Sequence, residues 1–121
     1  MGTDDPDGPS TPIVAVLNAT AATRDPDGAA ALLASWSTDR LIIRAGGVRH
    51  LARALSNPAL GPLLGHAGYR VASLERIGGA ARVRVEVRTW DDGVATFLAS
   101  TRWTERGWRL TGLAREEAGA D

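Results

Sequence analysis

Between Arg82 and Trp103 apolar and polar residues alternate on both sides of Asp91-Asp92-Gly93. Alternation at a period of two, carried by Val, Thr, Trp and Phe, restricts this stretch to two antiparallel strands joined by a tight turn. One residue more or less in the loop would rotate every side chain of one strand to the opposite face, so the loop length can be tested for consistency. A two-residue Asp92-Gly93 loop would stand Phe97 and Trp103 among Arg82, Arg84 and Arg88. A three-residue Asp91–Gly93 loop instead gathers Val83, Val85, Val87, Thr89, Ala95, Phe97, Ala99, Thr101 and Trp103 on one face and the arginines on the other. Gly93 then occupies the left-handed position that closes such a loop. The sequence predicts this second register, with Phe97 and Trp103 buried and Arg84 and Arg88 exposed.

The same period extends from Tyr69 to the end, predicting strands over 69–77, 81–90, 94–104 and 108–115, joined at Gly78-Gly79, Asp91–Gly93 and Arg106-Gly107. In the last strand Trp108, Leu110, Gly112 and Ala114 are expected on the inner face, with Arg109, Thr111 and Arg115 outward. In the first strand a two-residue turn sends Ala72 and Leu74 inward, whereas a three-residue loop sends Val71, Ser73 and Ile77. The former is favoured, because it sets Glu75 across from Arg82 on the outer face.

Upstream the period is helical. Thr11 and Pro12 open a helix to about Thr23 with Ile13, Val14, Leu17 and Ala21 on one side. Asp25 and Pro26 cap and begin a second, carrying Ala29, Leu32, Leu33 and Trp36. Arg40–Arg44 reads as a short extended piece. A third helix follows Ala45-Gly46-Gly47, burying Val48, Leu51, Ala52 and Leu55 and leaving His50 to solvent. Asn57-Pro58 stops it, and residues 59–66 form a leucine-bearing connector that caps the core. The expected organisation is a loose tail over 1–11, one domain over 12–116 and a frayed end over 117–121.

The 121 residues fit one domain, and fourteen arginines against fourteen acidic groups leave no basic surface for nucleic acid or an anionic membrane. Without cysteine there is no disulfide framework, thiolate metal site or cysteine nucleophile. His50 and His66 have no carboxylate at helical ligand spacing, so no metal site is expected. The start of the chain has no signal-peptide character, which predicts a cytoplasmic protein.

These elements describe an α+β fold: three helices over one face of a curved four-stranded antiparallel meander, with one short extra strand. Three stretches resemble the cone-shaped, nuclear-transport-factor-two-like superfamily, which includes ketosteroid isomerase and polyketide cyclases. They are Arg24–Ala34, between the first two helices; Gly47–Leu51, at the start of the third; and Gly107–Leu113, in the last strand. Leu55–Pro58 through Leu63–His66 is similar to a smaller group within it. The resemblance covers about residues 12–115 and implies a small-molecule pocket: a cofactor-free isomerase, cyclase or dehydratase acting on a mainly apolar metabolite, or a non-catalytic binding or dimerisation module. It also implies a homodimer through the outer sheet face, with Trp90, Leu98 and Leu113 buried and Glu86 paired with a partner arginine. Two departures stand out. Leu17 matches the position of the isomerase's oxyanion-hole tyrosine, and Arg44 or a neighbour that of its general-base aspartate, so both roles are lost here.

The inner face would line a pocket with Thr89, Phe97, Thr101, Trp103 and Trp108, joined by Trp36 from the helices and Tyr69 from the first strand. Trp36 equally suits the core, and Tyr69 edge-strand packing. Acid–base chemistry then rests on Asp39, Arg44 and His66. Asp39 is a buried base or a turn-forming carboxylate. Arg44 holds a substrate anion or pairs with a protein carboxylate, and His66 is an acid–base group or is bonded to loop backbone.

Overall fold

The computed structural model describes residues 8–56 and 60–116. The tails 1–7 and 117–121 and the expected helix stop at Asn57-Pro58 lie outside the described residues. The fold is α+β. Helices α1 (Thr11–Thr20), α2 (Pro26–Ser35), α3 (Asp39–Ala45) and α4 (Val48–Leu55) and a 3-10 turn (Gly61–Leu63) precede the sheet, which comprises β1 (Gly68–Ile77), β2 (Ala80–Arg88), β3 (Val94–Thr104) and β4 (Gly107–Glu116). The strands are antiparallel in the order β1-β2-β3-β4, which is the expected meander. None of the described helices is long and apolar enough to cross a membrane.

Four helices stand where three were expected, because Arg40–Arg44 is helical. Thr38 caps α3 by accepting the Leu41 N–H at 3.2 Å, and Gly46 ends it in the left-handed region at φ 93°. The cap, Asp39 in the first turn and Arg44 in the last suit a helix dipole, and these end signals outweigh the β preference of Leu41-Ile42-Ile43. The extra strand reduces to a single parallel bridge between Ser37 and Leu110. Asp25 and Pro26 begin α2 as expected, with Asp25 accepting the Asp27 N–H. Helix α1 ends earlier, at Thr20, and buries Ile13, Val16, Leu17 and Thr20 at helical spacing.

The central hairpin keeps the expected faces but moves its loop by one residue. Val83 faces Ala99, Val85 faces Phe97 and Val87 faces Ala95. The loop is therefore Trp90–Asp92, closed by the Thr89 N–H donating to the Gly93 carbonyl, and Asp92 rather than Gly93 takes the left-handed conformation, at φ 68°. Shifting a three-residue loop by one moves the register by two, which preserves the faces. Gly93 is needed for space instead, since a Cβ there would lie 3.0 Å from Thr89 Oγ1.

Each edge strand carries an irregularity that the alternating pattern conceals. At Ala72 the β1 register shifts, so Tyr69 and Val71 as well as Leu74 fall on the inner face, with Glu75 opposite Arg82 as expected. At Thr111 the β4 register shifts between Leu110, opposite Thr101, and Gly112, opposite Ser100. Trp108 and Leu110 point inward, but beyond the bulge it is Leu113 and Arg115 that face in. Gly112 and Ala114 face out, correcting the expected alternation.

The core lies between the helices and the middle strands. Ile13, Val16, Leu17, Leu33, Leu63, Val83, Val85, Val87, Phe97 and Leu110 are essentially inaccessible, each stabilising the fold by about 1.5–3 kcal/mol through burial. Cover is incomplete at two places: Val71 and Leu74 are 38% and 44% exposed although inward-facing, and Trp103 is 56% exposed. The expected burial of Trp103 fails because it lies past Thr101, at the rim, where its ring meets Trp108 edge-on at 5.8 Å. Arg84 and Arg88 are exposed, as the register requires.

On the outer face Arg84 holds Glu116 at 2.7 Å, tying β2 to the end of β4. The Arg84 hydrogen bond lowers the Glu116 pKa below its ordinary 4.5. A lowered folded value means the pair's contribution is present above the ordinary glutamate range and is lost as pH falls through the folded value. In a carboxylate NMR titration Glu116 should therefore show its midpoint below 4.5 and return toward 4.5 in Arg84→Gln; an unchanged midpoint would mean the pair does not persist in solution.

Candidate functional site

Two hollows open where the helices meet the start of β3 and the end of β4. The larger, about 820 Å3, is walled by Leu33, Leu41, Leu51, Leu60 and Leu113, with Ala45, Ala54 and Ala95 between them. Its volume is that of a small-molecule pocket. The local sequence explains the space: alanines stand at wall positions where larger residues would fill it, and the Thr111 bulge turns Leu113 rather than Ala114 inward. His50, Thr96, Arg115 and Glu116 supply the polar groups.

His50 is fixed by the turn before α4. Its Nδ1–H donates to the Gly46 carbonyl at 2.9 Å, which assigns the tautomer and leaves Nε2 as the acceptor nitrogen. Gly46 makes this possible, because a Cβ there would sit 2.8 Å from the imidazole Cγ.

The second hollow, about 710 Å3, is more polar. Arg24, His66, Thr89 and Asp91 line it, and it shares Val94, Ala95 and Arg115 with the first. The Asp91 carboxylate accepts from the Thr89 hydroxyl and the Gly93 N–H, and these bonds hold its pKa below the ordinary aspartate value. Arg24 forms no ion pair among the described residues.

The structure scatters the residues singled out from sequence. Asp39 and Arg44 are exposed at opposite ends of α3. His66 is 3% exposed, its Nε2–H donating at 2.8 Å to the Leu17 carbonyl, which is backbone of helix α1 and not the loop backbone expected; its Nδ1 is buried with no partner among the described residues. Tyr69 is half-buried, donates to Asn18 Oδ1 at 2.6 Å and meets the His66 ring edge-on. Thr89 serves the hairpin loop. Phe97 and Thr101 are fully buried in the sheet, and Thr101 Oγ1 has no partner among the described residues.

Trp36, Trp103 and Trp108 gather with Arg106 and Arg109 around a hollow of about 170 Å3 at the other end of the sheet. Arg109 stacks over Trp36 at 4.9 Å and Arg76 over Trp108 at 5.4 Å. None of the ten expected site residues lines the larger hollow; of the ten, His66 and Thr89 reach the one beside it.

His50 is exposed, as expected, yet also lines the larger hollow, which the sequence reading did not assign to it; Arg115, expected outward, lies opposite Phe97 and lines both hollows. An isolated glycine inside a strand pattern, Gly112 beside Thr111, was the available signal for the bulge that brings Arg115 inward. The spacing of Gly46 and His50 was the signal for the fixed imidazole. No group of three or more potential metal ligands occurs among the described residues. Comparison with known protein families, with curated proteins and with solved structures gave no match.

Substitutions should separate structural from solvent-facing candidates. His66→Leu removes the donor to the buried Leu17 carbonyl and is expected to destabilise the protein by about 1–3 kcal/mol. Asp39→Asn and Arg44→Met should each stay within about 0.5 kcal/mol of the parent. Denaturant unfolding measures all three, and a stable His66→Leu would remove His66 from the structural account.

Proposed function

We propose that this protein binds a mainly apolar small molecule in the larger hollow, and that its fold is of the cone-shaped, nuclear-transport-factor-two-like kind that its sequence resembles. The observation that carries the reading is the hollow itself: five leucine side chains around a space of about 820 Å3, with polar groups confined to a few positions. An apolar wall of this kind favours a ligand by desolvation and leaves orientation to His50, Thr96, Arg115 and Glu116.

A cofactor-free isomerase, cyclase or dehydratase is the catalytic form of the same reading. Its support is His50, whose Nδ1–H is held by Gly46 so that Nε2 is the basic nitrogen at the wall. Asp39 and Arg44 supply no group to that hollow.

Ala54 lies on α4 at the hollow wall and is half-buried, so a larger side chain there would occupy ligand space. Ala54→Phe should weaken binding of a neutral apolar probe such as decanol at least about tenfold, a difference of roughly 1.4 kcal/mol, while leaving the unfolding midpoint near that of the parent. Calorimetric titration measures the first and thermal unfolding the second. Unchanged binding would place the ligand elsewhere.

A homodimer through the outer sheet face is proposed alongside. Ile77, Trp90 and Val94 are exposed on that side or at its loop, and acidic and basic groups alternate between them. The proposed interface now excludes Leu113, which faces inward. Sedimentation at micromolar concentration should give a dimer of the 12.7 kDa chain, shifted to monomer by Val94→Arg; a monomer in the parent protein would end the proposal.

A further inference from the structure

The two hollows share a wall, and their chemistry differs along it. Val94, Ala95 and Arg115 belong to both, so a ligand lying in the larger hollow reaches the second by passing these residues. On one side of that wall the lining is leucine and alanine. On the other stand Arg24, Arg115, Thr89 and His66.

Arg24 is a cation at this hollow with no ion pair among the described residues. It is exposed and lies against Gly65, where a Cβ would be 3.3 Å from its Nε. The acidic group in the same hollow, Asp91, has its carboxylate engaged by the Thr89 hydroxyl and the Gly93 N–H within its own loop. Two guanidiniums and one carboxylate thus line the space, with Asp91 Oδ1 bonded within its own loop, and a carboxylate matches the guanidinium fork of Arg24 in a bidentate pair.

From this we propose that the ligand is an aliphatic carboxylate, with its chain in the larger hollow and its head group at Arg24 and Arg115 in the second. The proposal rests on the apolar-ligand reading above and adds the head-group site and its charge. The single carboxylate supplies the anion, the leucine walls take the chain, and no bond is made or broken.

The two histidines report the two compartments separately, since His50 lines only the larger hollow and His66 only the second. Imidazole NMR resonances of the full chain should be followed during titration with decanoate and, in parallel, with decanol. Decanoate is expected to shift both histidines and decanol only His50, with decanoate the tighter binder by about tenfold from its charge-assisted hydrogen bonds. Arg24→Gln, which alters only the second hollow, should abolish that preference while leaving decanol binding as in the parent.

Decanoate shifting His50 alone, or binding no tighter than decanol, would overturn the head-group site and leave the apolar hollow standing. Neither probe shifting either histidine would overturn both readings. The comparison of the two probes on the parent protein decides the matter even if an arginine variant fails to fold.

Discussion

The helical half of the chain is registered on the sheet by the backbone of Leu110. Its N–H donates to the Trp36 carbonyl at 2.7 Å and its carbonyl accepts the Thr38 N–H at 2.9 Å, so the segment between α2 and α3 covers the free edge of β4. An unpaired edge exposes donors and acceptors to any passing strand, and this pairing removes that hazard for part of β4. It also fixes where α3 begins, because Thr38 is both the edge partner of Leu110 and the cap of the helix. Ser37 is buried at the same junction, its hydroxyl donating to the Leu33 carbonyl at 2.7 Å.

The bulge at Thr111 follows directly after this contact, and its effect on the site is larger than its size suggests. Continued alternation would have put Gly112 and Ala114 inward and Arg115 in solvent. The extra residue instead delivers Leu113 to the core rim and Arg115 to the wall between the hollows. One inserted residue therefore decides both the apolar closure of the larger hollow and the charge at its neighbour.

The meander, its order and the faces of β2 and β3 were legible because these central strands are buried on one side, which forces strict alternation on Val83, Val85, Val87, Phe97 and Ala99. The edge strands were less legible, since a bulge breaks parity without breaking composition, and β1 lacks the cover that would have selected against exposed Val71 and Leu74. Helix α3 was misread because seven residues give too short a window for periodicity, while Thr38, Asp39 and Gly46 mark both its ends. The residues expected at the site lie away from the larger hollow for a different reason. Aromatic residues drew the sequence reading toward Trp36, Trp103 and Trp108, yet space comes from small residues, and an alanine carries no signal that it faces a hollow.

That contrast explains how the inner face is divided. At one end Trp108 is buried under Arg76, Trp103 leans on it, and Arg109 covers Trp36, so large rings and arginine stems take up the volume and leave only about 170 Å3. At the other end Ala45, Ala54 and Ala95 leave about 820 Å3 under a helical layer of similar build. Phe97, Leu17 and Leu63 are fully buried in the core, where side chains pack as densely as in organic crystals. The space at the alanine end is continued sideways, where Val94, Ala95 and Arg115 also line the hollow that holds Arg24. Where the inner face keeps open space is thus set by where the chain places its alanines, rather than by the tryptophans that dominate the sequence to the eye.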